Sequence, residues 1–168
     1  MYRVADDSGF LGIFDPHAYV SFVNENWTLD ELADHFKAEM RHYHLLLWAT
    51  PCEWTWRVEV RQEASGITGF QEFSGSIVAS EDLLCLTSYD SLAAGAMFED
   101  VSLPQQREWD LYIPVTPGAY HCRIIQLQDS NDCAAEEDTE GPDFVIELIK
   151  VDQPAAPWTD FPGEHTLD

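Results

Sequence analysis

The runs WTWRVEV, residues 54–60, and WDLYIPV, residues 109–115, place an apolar side chain at every second position. Successive side chains of an extended backbone point to opposite sides, so this period describes a strand with one packed and one wet face. In the first run Trp54, Trp56, Val58 and Val60 oppose Thr55, Arg57 and Glu59; in the second Trp109, Leu111, Ile113 and Val115 oppose Asp110, Tyr112 and Pro114. Pro114 has no N–H to give to a ladder, which assigns its strand to a sheet edge. The stretch TPGA at 116–119 is a turn signal, and YHCRIIQLQ after it reads as the next strand. DFVIELIKV adds another, with Phe144, Ile146 and Leu148 inward, and GFQEFSGSIVAS and LLCLTSY extend the series. FLGIFD and AYVSFV are expected to form an opening pair.

One segment breaks this period. From Thr28, the residues Leu32, Phe36, Met40, Tyr43 and Leu47 recur at three- and four-residue intervals, which predicts an amphipathic helix over residues 28–47. Thr28 with Glu31 three positions later makes a capping box, and Asp30 and Glu31 lie at the positive end of the helix dipole. The expected fold is mainly β within the α+β class: a β-sandwich of about seven or more antiparallel strands with one long helix on its side. At 168 residues the chain suits one domain, residues 1–151, followed by a proline-rich tail, residues 152–168, that Trp158 and Phe161 can pin to the body.

Charge narrows the classes of partner. The chain has 31 acids against 8 bases, a formal net charge of -23, and the imbalance comes from missing Lys and Arg. A field of this sign repels nucleic-acid phosphates and anionic lipid, so neither nucleic acid nor membrane is an expected partner. It attracts basic proteins and also keeps a chain in solution. The start, MYRVADDSGFLGIFDPHAYV, lacks the basic residues and continuous apolar stretch of a signal peptide, and the expected location is the cytoplasm. Cys52, Cys85, Cys122 and Cys133 are irregularly spaced with no CxxC pair, which suggests reduced thiols.

The most acidic stretch is DSNDCAAEEDTE, residues 129–140, six acids and no base between two strand-like runs. With Asp129 first in a twelve-residue calcium loop, Asn131 falls third and Glu140 twelfth, as such a loop requires. Cys133 fifth and Ala134 sixth, where the turn needs glycine, break the match, as do flanking strands in place of helices. His35, Glu39 and His42 share one helical face, but His35 and His42 are seven apart, not the four of HExxH, and His42 and His44 point to different faces. Histidines near a helix C-terminus explain these residues as surface or capping groups. No GxSxG, cysteine-protease or glycine-rich phosphate-loop pattern is present, and Trp54 and Trp56 fit a core face better than a ligand platform. No cofactor is expected.

The runs SGSIVASEDLLCLTSYDSL, REWDLYIPVTPGAYHCRIIQL and PDFVIELIKV, and above all the strand, proline-glycine turn and aromatic of IPVTPGAY, resemble the competence-J family, inhibitors of a DNA-entry nuclease. The opening YRVADDSGFLGIFD is similar to small bacterial proteins found beside secreted toxins. The resemblance implies an immunity or antitoxin protein, not an enzyme, that binds a cognate toxin with a basic cleft. Acidic-surface blockade of such a cleft makes Asp129, Asp132, Glu136, Glu137, Asp138 and Glu140 the expected contacts, with Glu99 and Asp100 on a second loop in reserve; a solvated tip between two strands is the other reading of residues 129–140. A small enzyme of unrecognised class and a calcium- or carbohydrate-binding sandwich are the alternatives.

Overall fold

The computed structural model describes residues 1–129 and 140–163, apart from the side chains of Gln106 and Arg107. Among them, nine strands and two α-helices follow in the order β1 Tyr2–Asp6, β2 Phe10–Phe14, α1 Leu29–Arg41, β3 Leu45–Ala49, β4 Trp54–Arg61, β5 Gln71–Ala79, β6 Leu83–Ser88, α2 Tyr89–Gly95, β7 Tyr112–Pro114, β8 Gly118–Gln126 and β9 Phe144–Val151. They form two sheets, β1-β4-β9-β8-β5 and β3-β2-β6-β7. The α+β sandwich with a flanking helix is therefore the fold, and Pro114 lies on an edge strand, β7. One pairing departs from the antiparallel expectation: β4 and β9 run parallel, Val58 opposite Phe144, because β9 returns from β8 into the gap beside a strand laid down much earlier.

The helix is shorter than its apolar spacing predicts. Thr28 and Glu31 make the reciprocal capping box, and Leu32, Phe36 and Met40 are fully buried, but α1 stops at Arg41. Tyr43 takes a left-handed conformation at φ 62°. The N–H of His44 then reaches Glu39 O at 3.0 Å and that of Tyr43 reaches Met40 O at 3.1 Å, the double closure of a Schellman motif. Leu47, the last residue of the predicted stripe, belongs to β3 instead. Leu45, Leu46, Leu47 and Trp48 are all buried, so the run is a strand packed on both faces and its side chains satisfy a helical period only by coincidence.

The opening pair also differs. AYVSFV is irregular, and the strands at the start are Tyr2–Asp6 and Phe10–Phe14, one in each sheet. The crossing is held by Asp6, which is buried and accepts the N–H groups of Ser8, Gly9 and Phe10 at Oδ1 and Thr50 Oγ1 and Trp56 Nε1 at Oδ2. Gly9 at φ 80° supplies the left-handed residue that this turn needs.

The core lies between the sheets, where Trp56 meets Phe144 edge-on at 5.3 Å between ring centroids. The tail closes one seam of the sandwich. Trp158 donates to Ser74 O of β5 at 2.8 Å and lies over Gly75, while Pro162 O accepts the N–H of Ala49 in β3 at 2.9 Å. Tyr43 Oη donates to Ala155 O, and Phe161 packs against Phe10 and beneath Lys37. Both pinning aromatics thus bear on the body, and the tail bridges the edge strands β3 and β5. Cys85 and Cys122 are buried free thiols. Cys52 is disulfide-bonded, contrary to the reading of wholly reduced cysteines; it sits half-exposed in the β3–β4 connection, outside any strand.

Candidate partner-binding surface

β6 and β7 pair as a hairpin, Leu83 opposite Pro114 and Cys85 opposite Tyr112, yet the chain between them makes a long excursion. It begins with α2, where Ser88 Oγ accepts the N–H of Ser91 and Leu92 is buried. Gly95 ends α2 in a space without room for a side chain, since a Cβ there meets Ser21 Oγ at 2.6 Å and Leu103 Cδ1 at 2.9 Å. The segment after it is held by Ala96 O, which accepts from Val23 and Asn24. The excursion returns through a 3-10 turn at Gln106–Leu111, where Glu108 accepts the N–H of Gln105 at 3.1 Å and the hydroxyl of Ser91.

These ties shape an acidic cleft of about 330 Å³ between β1, α2 and the 3-10 turn. Its charged lining is Asp7, Asp90, Glu108 and Asp110 against Arg3. Asp90 accepts the N–H of Asp7 at 2.9 Å and the hydroxyl of Ser8, which fixes α2 to the β1–β2 turn. The negative field reaches inward. The Cys85 thiol is pushed up to about 12, first by burial and then by Glu108 and Asp110, and the Tyr89 hydroxyl is raised by burial and then by Asp90.

Large apolar side chains stand among these acids. Trp109 is 55% exposed between Glu108 and Asp110, and Phe98 is 53% exposed in a shallow depression whose other lining residues are Glu25, Asn26, Met97, Glu99 and Asp100. The alternation through WDLYIPV had placed Trp109 inward. It faces out because residues 106–111 form a 3-10 turn; Leu111, Ile113 and Val115 are buried as the alternation requires. An exposed tryptophan is the kind of group that dominates binding energy at protein interfaces, and no sequence signal separated it from the buried Trp48 and Trp56.

Glu99 and Asp100 are exposed on the excursion. Asp129 lies in a different place, along a groove with Thr50, Pro51, Phe70 and Gln126, and Glu140 is exposed shortly before β9. Asp132, Glu136, Glu137 and Asp138, together with the calcium-loop positions between Asp129 and Glu140, lie outside the described residues. Register nevertheless places the chain at Asp129 and Glu140 at the same end of the sandwich as the start of the excursion. Asp6, Ala49, Trp54, Gln126 and Phe144 end or begin their strands there, and so does Ser88, from which the excursion departs. Asp143 fixes the entry to β9 by accepting Arg57 Nη2 at 2.8 Å and Nε at 3.1 Å. Lys37, Arg57, Arg61 and Arg123 are each ion-paired to a carboxylate, so half of the chain's bases are committed within the fold.

Of the helix histidines, His35 stands apart, whereas His42 and His44 come together instead of pointing to different faces, because α1 ends at Arg41 and the spacing between them is no longer helical. His35 packs against Tyr19 and Phe36, His42 caps α1 and stacks on His44, and His44 Nδ1 lies 2.7 Å from Glu39 Oε2.

These features define a two-sheet sandwich with an acidic end built by one hairpin excursion. Neither a protein-family profile nor a curated protein sequence matches the chain. Two solved structures share its fold. Crocagin biosynthetic gene J superimposes with a TM-score of 0.58 at 18% identity, over 89% of this chain and 93% of that one. ComJ from Bacillus subtilis, described as an inhibitor of the DNA degrading activity of NucA, superimposes with a TM-score of 0.53 at 10% identity, over 89% of this chain and 94% of that one. The chain therefore has a ComJ-like fold. Among the described residues, no helix is long and apolar enough to cross a membrane.

Proposed function

We propose that this chain is a non-enzymatic inhibitor of the immunity or antitoxin kind, which blocks a nuclease, or another toxin enzyme with a basic cleft, by occupying that enzyme's phosphate-binding cleft. The observation that carries the reading is the acidic end. Asp7, Asp90, Glu99, Asp100, Glu108 and Asp110 gather on and around one excursion that also presents Trp109 and Phe98 to solvent. Carboxylates there take the place of substrate phosphates at Lys and Arg side chains, and the aromatic groups supply the desolvated contact area that holds the complex. The shared fold with an inhibitor of DNA degradation supports the same reading. Gln126 and Phe144, which flank the acidic stretch from Asp129 to Glu140, pair at the same end of the sandwich, and that stretch is included in the proposed contact. The cytoplasm is its proposed site of action.

The test is co-purification of the tagged chain from its source cells at low salt, followed by assay of the recovered partner on DNA. The expected result is a basic enzyme whose DNA-degrading activity the chain suppresses. Trp109→Ala is expected to weaken that complex by a factor of ten or more, on the order of 2 kcal/mol. Glu99→Gln with Asp100→Asn is expected to slow association and flatten its dependence on salt. Recovery of no basic enzyme, or a complex indifferent to salt, rejects the proposal.

A further inference from the structure

At the opposite end of the sandwich, two connections distant in sequence meet. The β2–α1 connection begins with Asp15 and carries His17; the β5–β6 turn, Ser80 to Asp82, carries Glu81 and Asp82. Asp15 is fully buried and serves both: Oδ1 accepts the N–H of His17 at 2.9 Å and Oδ2 accepts the N–H of Ser80 at 2.8 Å. The turn is held from a third side by Asp82 O, which accepts the N–H of Val115 at 3.0 Å. One imidazole nitrogen and two carboxylate oxygens, from His17, Glu81 and Asp82, are thereby brought within 4.8 Å of one another.

We infer that these three side chains form a binding site for a divalent cation of the zinc class. His17 Nδ1 and Glu81 Oε2 are 3.6 Å apart, beyond hydrogen-bonding range. Two ligands each about 2.1 Å from a tetrahedral zinc ion lie about 3.4 Å from one another, so the spacing matches shared coordination. Asp15 holds the backbone at His17 and at Ser80 while all three side chains are exposed, so bringing the third ligand to the same spacing requires side-chain rotation and no movement of the two connections. One imidazole with two carboxylates is a borderline nitrogen and oxygen set that favours zinc and its neighbours over calcium, which prefers six or more oxygens. Water completes the coordination on the open side. The bound ion ties the β2–α1 connection to the β5–β6 turn, far from the acidic cleft, and the inference is independent of the proposed inhibitor role.

Calorimetric titration of the full chain with zinc chloride at neutral pH tests it, alongside thermal melts with and without the metal. One equivalent is expected to bind, and saturating zinc is expected to raise the melting temperature by about 5 °C. His17→Gln, and separately Glu81→Gln with Asp82→Asn, are expected to weaken binding at least tenfold and abolish the thermal shift, with metal-free melting unchanged. His42→Gln with His44→Gln is expected to leave binding intact, since that histidine pair lies elsewhere on the surface. Absence of a stoichiometric site, retention of binding in the His17 variant, loss in the His42 and His44 variant, or calcium binding as tight as zinc overturns the inference.

Discussion

Asp6 concentrates more of the fold in one side chain than any sequence pattern indicates. A single buried carboxylate receives three backbone N–H groups, a threonine hydroxyl and an indole, and so holds the point where the chain passes from one sheet to the other. Asp6→Asn keeps the shape but turns an amide N–H₂ toward groups that are themselves donors. A loss of about 2–4 kcal/mol is expected, read as a lower urea midpoint with unchanged slope. Gly75 is a second such position, because a Cβ there lies 2.6 Å from Trp158 Cε2 and 2.9 Å from Leu46 Cδ2. Gly75→Ala is expected to displace the tail while both sheets persist. Faster proteolysis after residue 151 with little change in far-ultraviolet circular dichroism would register this; a protease-resistant tail would mean that Trp158 can be accommodated elsewhere.

Elements held by one periodic stripe were legible in the sequence, and elements made by exception were not. The capping box at Thr28 and Glu31, the edge role of Pro114 and the inward set Phe144, Ile146 and Leu148 follow from local chemistry, and the structure has them all. The end of α1 did not, because Tyr43 in the left-handed region replaces the glycine that usually marks such a stop, and the apolar run 45–48 then continues the helical spacing by chance. Of the candidate site, the acidic character of Glu99 and Asp100 was readable. The outward turn of Trp109 was not, since it depends on a 3-10 turn with no periodic signature. Register between β8, β5 and β9 also sets a pH response. Arg123 in β8 reaches Glu72 in β5 at 2.7 Å and Glu147 in β9 at 3.2 Å. The Glu72 carboxyl is held below its ordinary value chiefly by its hydrogen bond to Arg123. Burial alone raises Glu147, but the Ser65 hydroxyl and N–H together with Arg123 outweigh it, and the net shift is downward. Folded values below the unfolded ones mean that the stabilisation is full above roughly pH 4.5 and is lost as pH falls through the lowered folded values. In Arg123→Met the deficit relative to the parent chain is expected to be largest near neutral pH and to narrow in acid; urea midpoints across that range give the readout.

At the scale of the whole molecule, a net charge of -23 on 168 residues is self-repulsive. Raising the salt concentration is expected to increase the melting temperature of the isolated chain while slowing its association with a basic partner. The two opposite salt responses of one protein, followed by calorimetry and by stopped-flow mixing, separate self-repulsion from attraction to the target. A melting temperature indifferent to salt would mean that the carboxylates are spread too widely to oppose folding.

The parallel pairing of β4 with β9 fixes an order of assembly during synthesis. β9 is the third strand of five in its sheet, with β4 on one side and β8 on the other, yet it comes last in sequence among the sheet's described strands. A nascent chain that has emerged only as far as Gln126 contains both partners of the β1–β4 pair and of the β5–β8 pair but not the strand that joins the two pairs. The larger sheet therefore gains its middle only when residues 144–151 leave the ribosome. Until then both pairs expose unpaired edges to whatever else is in the cell, which makes the interval before that final strand arrives the chain's period of greatest exposure to misassembly.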